Sequence, residues 1–307
     1  MPTGFVSHPD FFKHEMGSFH PECPGRLTAI DDQLILSRID SFLTPIEAPL
    51  ASEEQIELVH TAALVEFLKS HTPDSGYYEI DGDTFMNHDT YQSALRAAGA
   101  CTAAVDAVME GRVRNVFCAV RPPGHHAEPD QSKGFCFFNN VAIAAKYALT
   151  KYHFDRVAII DFDVHHGNGT ESAFRDDPRV LMCSFFQSPF YPFSGEDCNS
   201  KNMLNIPVPA YTKSGDIRQI VTDVWMPRLE AFKPEFLFIS AGFDAHKEDD
   251  LGQLGLVEAD FAWITKQVMT IAKRYANNRV VSTLEGGYSF SALGRSVVAH
   301  IKELAEI

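Results

Sequence analysis

The sequence predicts an α/β fold with a mostly parallel sheet and helices on both of its faces, and three observations carry that prediction. Short apolar runs of β-branched or aromatic residues, such as Val157–Ile160 and Glu235–Ser240, have strand length and strand composition. They alternate with longer segments at helical spacing, the order that parallel βαβ units impose. The reactive residues also fall at regular places: His125 and His126, Asp163 and His165, Asp244, and Tyr288 each come just after a different predicted strand. Such strand ends share one edge of a parallel sheet, the edge where ligands bind, so four segments should converge on one pocket.

Taken in order, the chain begins with a short apolar stretch and a polar loop from His14 to Arg26, where Pro21, Pro24, Gly17 and Gly25 oppose regular structure. Leu27, Ile30, Leu34 and Ile35 then mark a helix from Arg26 to about Ile39. Ser52 to Gln55 has capping-box form, and Thr61 to Ser70 repeats the helical pattern. Residues 72 to 88, with Pro73, Gly76 and Gly82, read as a second long loop. Tyr91 to Met109 is an Ala-rich helix containing Gly99, fit for close packing, and Gly111 supplies its stop. A strand at Asn115–Val120 ends against Arg121-Pro-Pro-Gly, and Asn140–Tyr152 resumes helix. After the strand at Val157, a short helix at Thr170–Phe174 and a strand at Arg179–Phe185 follow. Beyond an aromatic, proline-rich connection at 188 to 193, residues 214 to 232 read as helix and Glu235–Ser240 as strand. Helix at Val257–Tyr275, strand at Arg279–Leu284 and helix at Ser291–Leu304 complete the chain. No repeat or low-complexity linker interrupts it, so residues 1–307 are expected to form a single catalytic domain.

Composition bounds the function. Hydrophobic residues at 45% and charged residues at 22% are those of a globular chain. A formal net charge of −15 argues against direct nucleic-acid binding and suits cationic substrates. The six cysteines form no CxxC pair and lie mostly in apolar runs, so neither a disulfide framework nor a thiolate zinc cluster is expected. The N-terminus lacks the basic and apolar segments of a signal peptide and no apolar run reaches membrane length, which makes the cytoplasm the expected setting, with no membrane partner. Oligomeric state is not readable.

At the strand ends, Asp163, His165 and Asp244 offer two carboxylates and an imidazole, a set suited to a divalent ion such as Zn²⁺, with Fe²⁺ an alternative for similar ligands. Three protein ligands leave a position for water, the mark of a catalytic site. The paired His125 and His126 suit proton transfer near neutral pH, and Asp161 and Asn168 are candidate orienting partners for the two rings. Tyr288, after two glycines, is placed to donate its phenol to an oxyanion. Phe135 and Tyr191 sit in aromatic-rich loops fit to wall a narrow channel. Each residue singly also has an ordinary reading: loop-capping Asp, satisfied core or surface His, packed aromatic.

Together, Arg121-Pro-Pro-Gly-His-His126, Gly134-Phe-Cys-Phe-Phe-Asn139, Asp161-Phe-Asp-Val-His-His-Gly-Asn-Gly169, Ala241-Gly-Phe-Asp244 and Glu285-Gly-Gly-Tyr288 resemble the zinc-dependent histone deacetylase family in its class II-like branch. The resemblance runs from about His20 to the C-terminus. It implies an arginase/deacetylase fold with a central sheet of about eight strands, and one catalytic zinc on Asp163, His165 and Asp244. It implies that His126 is the general base, that His125 with Asp161 is its electrostatic partner, and that Tyr288 binds the substrate carbonyl. Phe135 and Tyr191, with Gly134 and Leu251, would border the acyl-lysine tunnel. Structural potassium is implied near Asp161, Asp163, His165 and Ser184, and a second ion near Phe174 and Val180.

The implied activity is hydrolysis of acetyl, or longer acyl, groups from lysine side chains of a peptide or protein. Asn168 stands where class I relatives carry Asp, and the segment Ala245 to Gly252 is more charged than the family's usual one. Leu251 replaces the Glu of polyamine-selective relatives, which favours acyl-lysine over acetylated polyamines as substrate. Acetylpolyamine amidohydrolase is the nearest alternative, a binuclear ureohydrolase a more distant one, and a non-catalytic acyl-lysine reader the alternative of a different class. His166 takes no role and points away from Asp163 and His165 in an extended chain.

Overall fold

The computed structural model describes residues 1–307. In chain order the elements are β1 (Thr3–Val6), α1 (Gly25–Ser37), β2 (Leu43–Pro45), α2 (Glu53–Ile56), α3 (Ala62–Ser70), β3 (Tyr78–Asp81), β4 (Thr84–Met86), α4 (Thr90–Met109), β5 (Asn115–Cys118) and α5 (Asn140–Lys151). They continue as β6 (Val157–Asp161), α6 (Asn168–Phe174), β7 (Val180–Gln187), β8 (Met203–Val208), α7 (Ser214–Ile220), α8 (Met226–Phe232), β9 (Phe236–Ala241), α9 (Glu258–Tyr275), β10 (Val280–Leu284) and α10 (Phe290–Ala305). Eight strands form one sheet in the order β2-β1-β5-β10-β9-β6-β7-β8, with every neighbouring pair parallel.

Why the sheet is legible follows from its burial. Every residue of β5, β6, β7, β9 and β10 is buried, as required of strands covered on both faces, so these strands read as unbroken apolar runs. Helices α1, α9 and α10 pack as one group, while α4 and α5 pair as another. The central core gathers Phe117, Ile159, Phe162, Phe238 and Phe243 with Val297 and Ile301 of α10. Gly99 explains the close packing of α4: a Cβ there would strike the backbone of Pro49, Leu50 and Ala51. No helix is long and apolar enough to cross a membrane.

Five segments depart from expectation. Residues 78 to 86, expected as loop, form the antiparallel hairpin β3–β4, which closes with a register shift between Glu79 and Asp81. Its strands are short and partly exposed, so no apolar run announces them. Strands β1, β2 and β8 were likewise absent from the sequence reading. β2 and β8 are the sheet edges, which is why Pro45 and Pro207 are tolerated in them. The expected helix at 214 to 232 is divided by a π-helical turn at Val221–Trp225, one residue before Pro227, whose ring leaves a carbonyl of the preceding turn without its N–H donor.

Candidate active site

The functional side chains lie where four strands run out. Beyond β6 the chain does not stay extended as the sequence reading assumed; it folds through two Asx turns, with Asp161 Oδ1 accepting the N–H of Asp163 (3.1 Å) and Asp163 Oδ1 that of His165 (2.9 Å). The turns still bring Asp163 and His165 together, with His165 Nδ1 3.0 Å from Asp163 Oδ1. The loop after β9 adds Asp244, whose Oδ1 accepts the N–H of Val164 at 2.9 Å. The loop after β10 passes directly over both carboxylates, and Gly286 donates its N–H to Asp163 Oδ2 at 2.9 Å. A Cβ on Gly286 would collide with Asp163 and Asp244, so only glycine permits that approach.

One ligand atom each from Asp163, His165 and Asp244 fall within 4.8 Å of one another. Asp244 is buried, and its Oδ2 has no hydrogen-bond partner. His165 Nδ1 lies 3.2 Å from that oxygen, without hydrogen-bond geometry. A buried carboxylate oxygen left open costs free energy unless something positive meets it. Burial and the neighbouring Asp163 raise Asp244 to about 7, and the two carboxylates overcome burial to raise His165 to about 10. The oxygens therefore draw positive charge into a closed site, and the donor set of two oxygens and one imidazole nitrogen fits a divalent cation.

Beside this cluster the rings of His125 and His126 lie 4.1 Å apart. His125 Nδ1 bonds Asp161 Oδ2 at 3.0 Å, and its Nε2 faces Asp163 Oδ2 at 3.8 Å. Burial would lower His125, but Asp163 and Asp161 outweigh it and hold the ring well above its ordinary value. His126 goes the other way, lowered by burial and by the charges of His125 and His165. Its Nδ1 meets Asn168 Oδ1 at 2.8 Å, so Asp161 and Asn168 each contact one of the two rings. His166 is turned away, its Nε2 bonded to Glu171 at 2.9 Å and its ring against Phe186.

A cavity of about 210 Å³ leads to these residues, lined by Asp83, His126, Gly134, Phe135, His165, Phe190, Tyr191, Leu251 and Tyr288. Phe135 stands edge-on to Tyr288 at 6.0 Å, and Tyr191 edge-on to His126 at 5.1 Å. The ring lying flat on His165, at 5.4 Å and 18°, is Phe190, which the sequence reading missed in favour of its neighbour. Asp83, from the hairpin β3–β4, was missed because that hairpin was read as loop. Burial and the carboxylates of Asp244 and Asp163 raise the Tyr288 phenol well above its usual value despite Arg26, so it stays a hydrogen-bond donor.

Behind the pocket lies a layer of buried charge. Glu22 accepts a bidentate pair from Arg121 (2.5 and 2.7 Å) and one bond from Arg26 (3.0 Å), all three fully buried. Arg26 donates to the carbonyls of Gly287 (2.7 Å) and Glu285 (2.5 Å) and lies 4.9 Å over the Tyr288 ring. Glu285 Oε2 accepts the N–H groups of Gly124 (2.7 Å) and His125 (3.1 Å). Asp249 accepts those of Tyr288 (2.6 Å), Ser289 (3.0 Å) and Leu251 (3.0 Å). Among the expected potassium positions, Ser184 pairs across the strands with Asp161, while the carbonyls of Phe174 and Val180 join that of Asp177 around Asn202 Nδ2, at 2.9 to 3.0 Å.

Comparison with known proteins agrees with this architecture. A histone deacetylase domain matches residues 20–304. A probable deacetylase of Archaeoglobus fulgidus is 38% identical over 297 residues, covering 94% of this chain and 82% of that protein. A histone deacetylase-like amidohydrolase of Pseudomonas aeruginosa is 35% identical over 94% of this chain and 77% of its own length. The crystal structure of the HDA15 HD domain superposes with a TM-score of 0.93 at 31% identity, covering 99% of this chain and 90% of that one, which makes the fold an arginase/deacetylase fold. With a domain match running nearly end to end and relatives of this identity aligned over most of their own length, the chain belongs to the histone deacetylase family.

Proposed function

We propose that this deacetylase hydrolyses the side-chain amide of acetylated lysine in a peptide or protein, using Zn²⁺ held by Asp163, His165 and Asp244. The family implies a metal ion, and the orphaned Asp244 Oδ2 inside the carboxylate–imidazole cluster is the observation that supports placing it there. A divalent cation held there would supply polarisation of the acyl carbonyl and a lower pKa for the attacking water. The remaining work belongs to the chain. His126, kept neutral by burial and by charged neighbours, removes the water proton and returns it to the departing amine. His125, held by Asp161, supplies the positive partner that keeps His126 unprotonated before the reaction. Tyr288 donates its hydroxyl to the carbonyl oxygen as negative charge develops. Phe135, Phe190 and Tyr191 clasp the apolar part of the acyl-lysine chain and exclude water.

In the same reading residues 1–307 act as one catalytic domain in the cytoplasm, a setting consistent with six free cysteines. Potassium beside Asp161, Asp163, His165 and Ser184, and at the carbonyls of Phe174 and Val180, would serve as structural counter-charge. Acetylated polyamine is the second reading, favoured by Asp83 at the cavity wall, a carboxylate able to meet a cationic chain; Leu251 opposes it with an apolar surface. Parallel kinetics on an acetyl-lysine peptide and on N-acetylputrescine, with metal content measured on the same sample, decide between them. Faster hydrolysis of N-acetylputrescine would reverse the assignment. Binding without turnover would indicate a reader, and two metal ions per chain a ureohydrolase.

A further inference from the structure

We infer that Glu128 is a positioning residue: by fixing the amide of Asn168 it dictates which nitrogen of His126 carries the proton. This deepens the reading of His126 as general base and rests on it. An aspartate in the place of Asn168 would present an acceptor to His126 either way round, but an amide has one acceptor end and one donor end. Here the donor end has two claims on it. Asn168 Nδ2 donates to Glu128 Oε1 at 2.7 Å and to the His126 carbonyl at 3.2 Å, which leaves Oδ1 to meet His126 Nδ1 at 2.8 Å. Turned over, the amide would set its oxygen against a carboxylate and a carbonyl at those separations, two acceptor-to-acceptor contacts. The observed orientation requires the His126 proton on Nδ1 and leaves the Nε2 lone pair free to accept one.

Glu128 is itself held in place. Its N–H donates to the Gln131 carbonyl at 2.8 Å, its carbonyl accepts from His60 Nδ1 at 3.0 Å, and its Oε1 also takes Lys133 Nζ at 3.1 Å. His60 cannot reverse, because its Nε2 accepts the Asn139 N–H at 2.8 Å. The carboxylate thus stands at a fixed point on the far side of Asn168 from His126, without touching substrate or metal ligands. Its side chain is 29% exposed, so substitution there leaves the core intact.

The test compares Glu128→Gln, which keeps an acceptor, with Glu128→Lys, which puts a donor in its place, and with Glu128→Leu, which removes the acceptor without adding charge. In the zinc-loaded protein without substrate, ¹⁵N NMR of the His126 ring should show the proton on Nδ1 in wild type and Glu128→Gln, and on Nε2 in Glu128→Lys. With an acetyl-lysine peptide, kcat should fall about 100-fold in Glu128→Lys and stay within about threefold in Glu128→Gln, KM being unchanged within about twofold in both. Glu128→Leu should lose kcat to an intermediate extent. Introducing Asn168→Asp alongside Glu128→Lys should abolish the dependence on residue 128, since a carboxylate has no donor end. A wild-type tautomer in Glu128→Lys, or equal kcat losses in the Gln and Lys variants, overturns the inference. The NMR result stands even if acetyl-lysine proves not to be the substrate, so the two readings fail separately.

Discussion

Asp249→Asn isolates how the protein holds Tyr288. The carboxylate of Asp249 is almost fully buried and accepts three N–H groups: Tyr288 and Ser289 on Oδ2, Leu251 on Oδ1. Asparagine keeps one oxygen. If that oxygen remains with Tyr288 and Ser289, the new Nδ2 faces the N–H of Leu251, donor against donor. Hydrogen bonds to a charged acceptor contribute about 1.5–3 kcal/mol each, so losing one and weakening two gives about 2–4 kcal/mol, divided between stability and the placement of Tyr288. The catalytic share has a ceiling, because removing an oxyanion donor outright, as in Tyr288→Phe, costs about 10²–10³ in kcat. We therefore expect kcat of Asp249→Asn to fall about 10- to 100-fold with little change in KM. A double-mutant cycle supplies the decisive comparison: if Asp249 acts through the Tyr288 hydroxyl, Asp249→Asn in the Tyr288→Phe background lowers kcat little further. Losses that multiply across the cycle, or a wild-type kcat in the single variant, would refute the reasoning.

Three other outcomes are accessible by simpler means. Burial lowers His60 to about 4 and His300 to about 3, so each is neutral when folded and charges on unfolding below pH 6.5. The unfolded chain then binds more protons, and stability present above pH 6.5 is lost as pH falls toward the folded values; from pH 7 to pH 5 the pair should lose about 4 kcal/mol. In His300→Gln about half of that pH dependence should vanish from thermal unfolding curves, and an unchanged slope would rule the account out. Stripping the metal with a chelator should end turnover and lower Tm by several degrees, since binding at 100 times Kd is worth about 2.7 kcal/mol. Asp244→Ala should contain no ion by elemental analysis and show no chelator shift; a full metal complement in that variant would remove Asp244 from the site.

What the sequence made readable depended on how each group meets water. The central strands were readable because both faces are buried, so Val157–Asp161 and Phe236–Ala241 carry no competing polar pattern. The candidate metal-ligand and histidine residues stand out because they follow strand ends. Edge strands β2 and β8 and the hairpin β3–β4 are short, partly exposed, or contain Pro45 and Pro207, so no unbroken apolar run marks them. Asp83 was lost with the hairpin. Phe190 and Tyr191 are adjacent aromatics in a loop, and only the folded loop decides which of them lies flat on His165. Glu22, Arg26 and Arg121 gave no signal of burial, because charged residues between prolines and glycines read as surface.

Those buried charges follow from the demand that the Glu285–Ser289 segment places on the fold. For its backbone to pass over Asp163 and Asp244, residue 286 must lack a side chain, and Gly287 adds a positive φ of 118°. Two glycines make a segment that is soft on its own, yet the role proposed for Tyr288 requires its hydroxyl to be held within a fraction of an ångström of a developing charge. The protein fixes the segment from every side: Arg26 takes the carbonyls of Glu285 and Gly287, Asp249 the N–H groups of Tyr288 and Ser289, and Asp163 that of Gly286. Glu285 then ties the segment to Gly124 and His125, so the Tyr288 loop and the histidine pair are joined by hydrogen bonds. A buried guanidinium needs a buried partner, which is the place of Glu22, and Glu22 in turn is shared with Arg121 just ahead of His125. Removing Glu22 would leave two guanidiniums in the interior without their shared carboxylate, so the ion that joins Arg26 to Arg121 also joins the Tyr288 segment to the chain just ahead of the histidine pair.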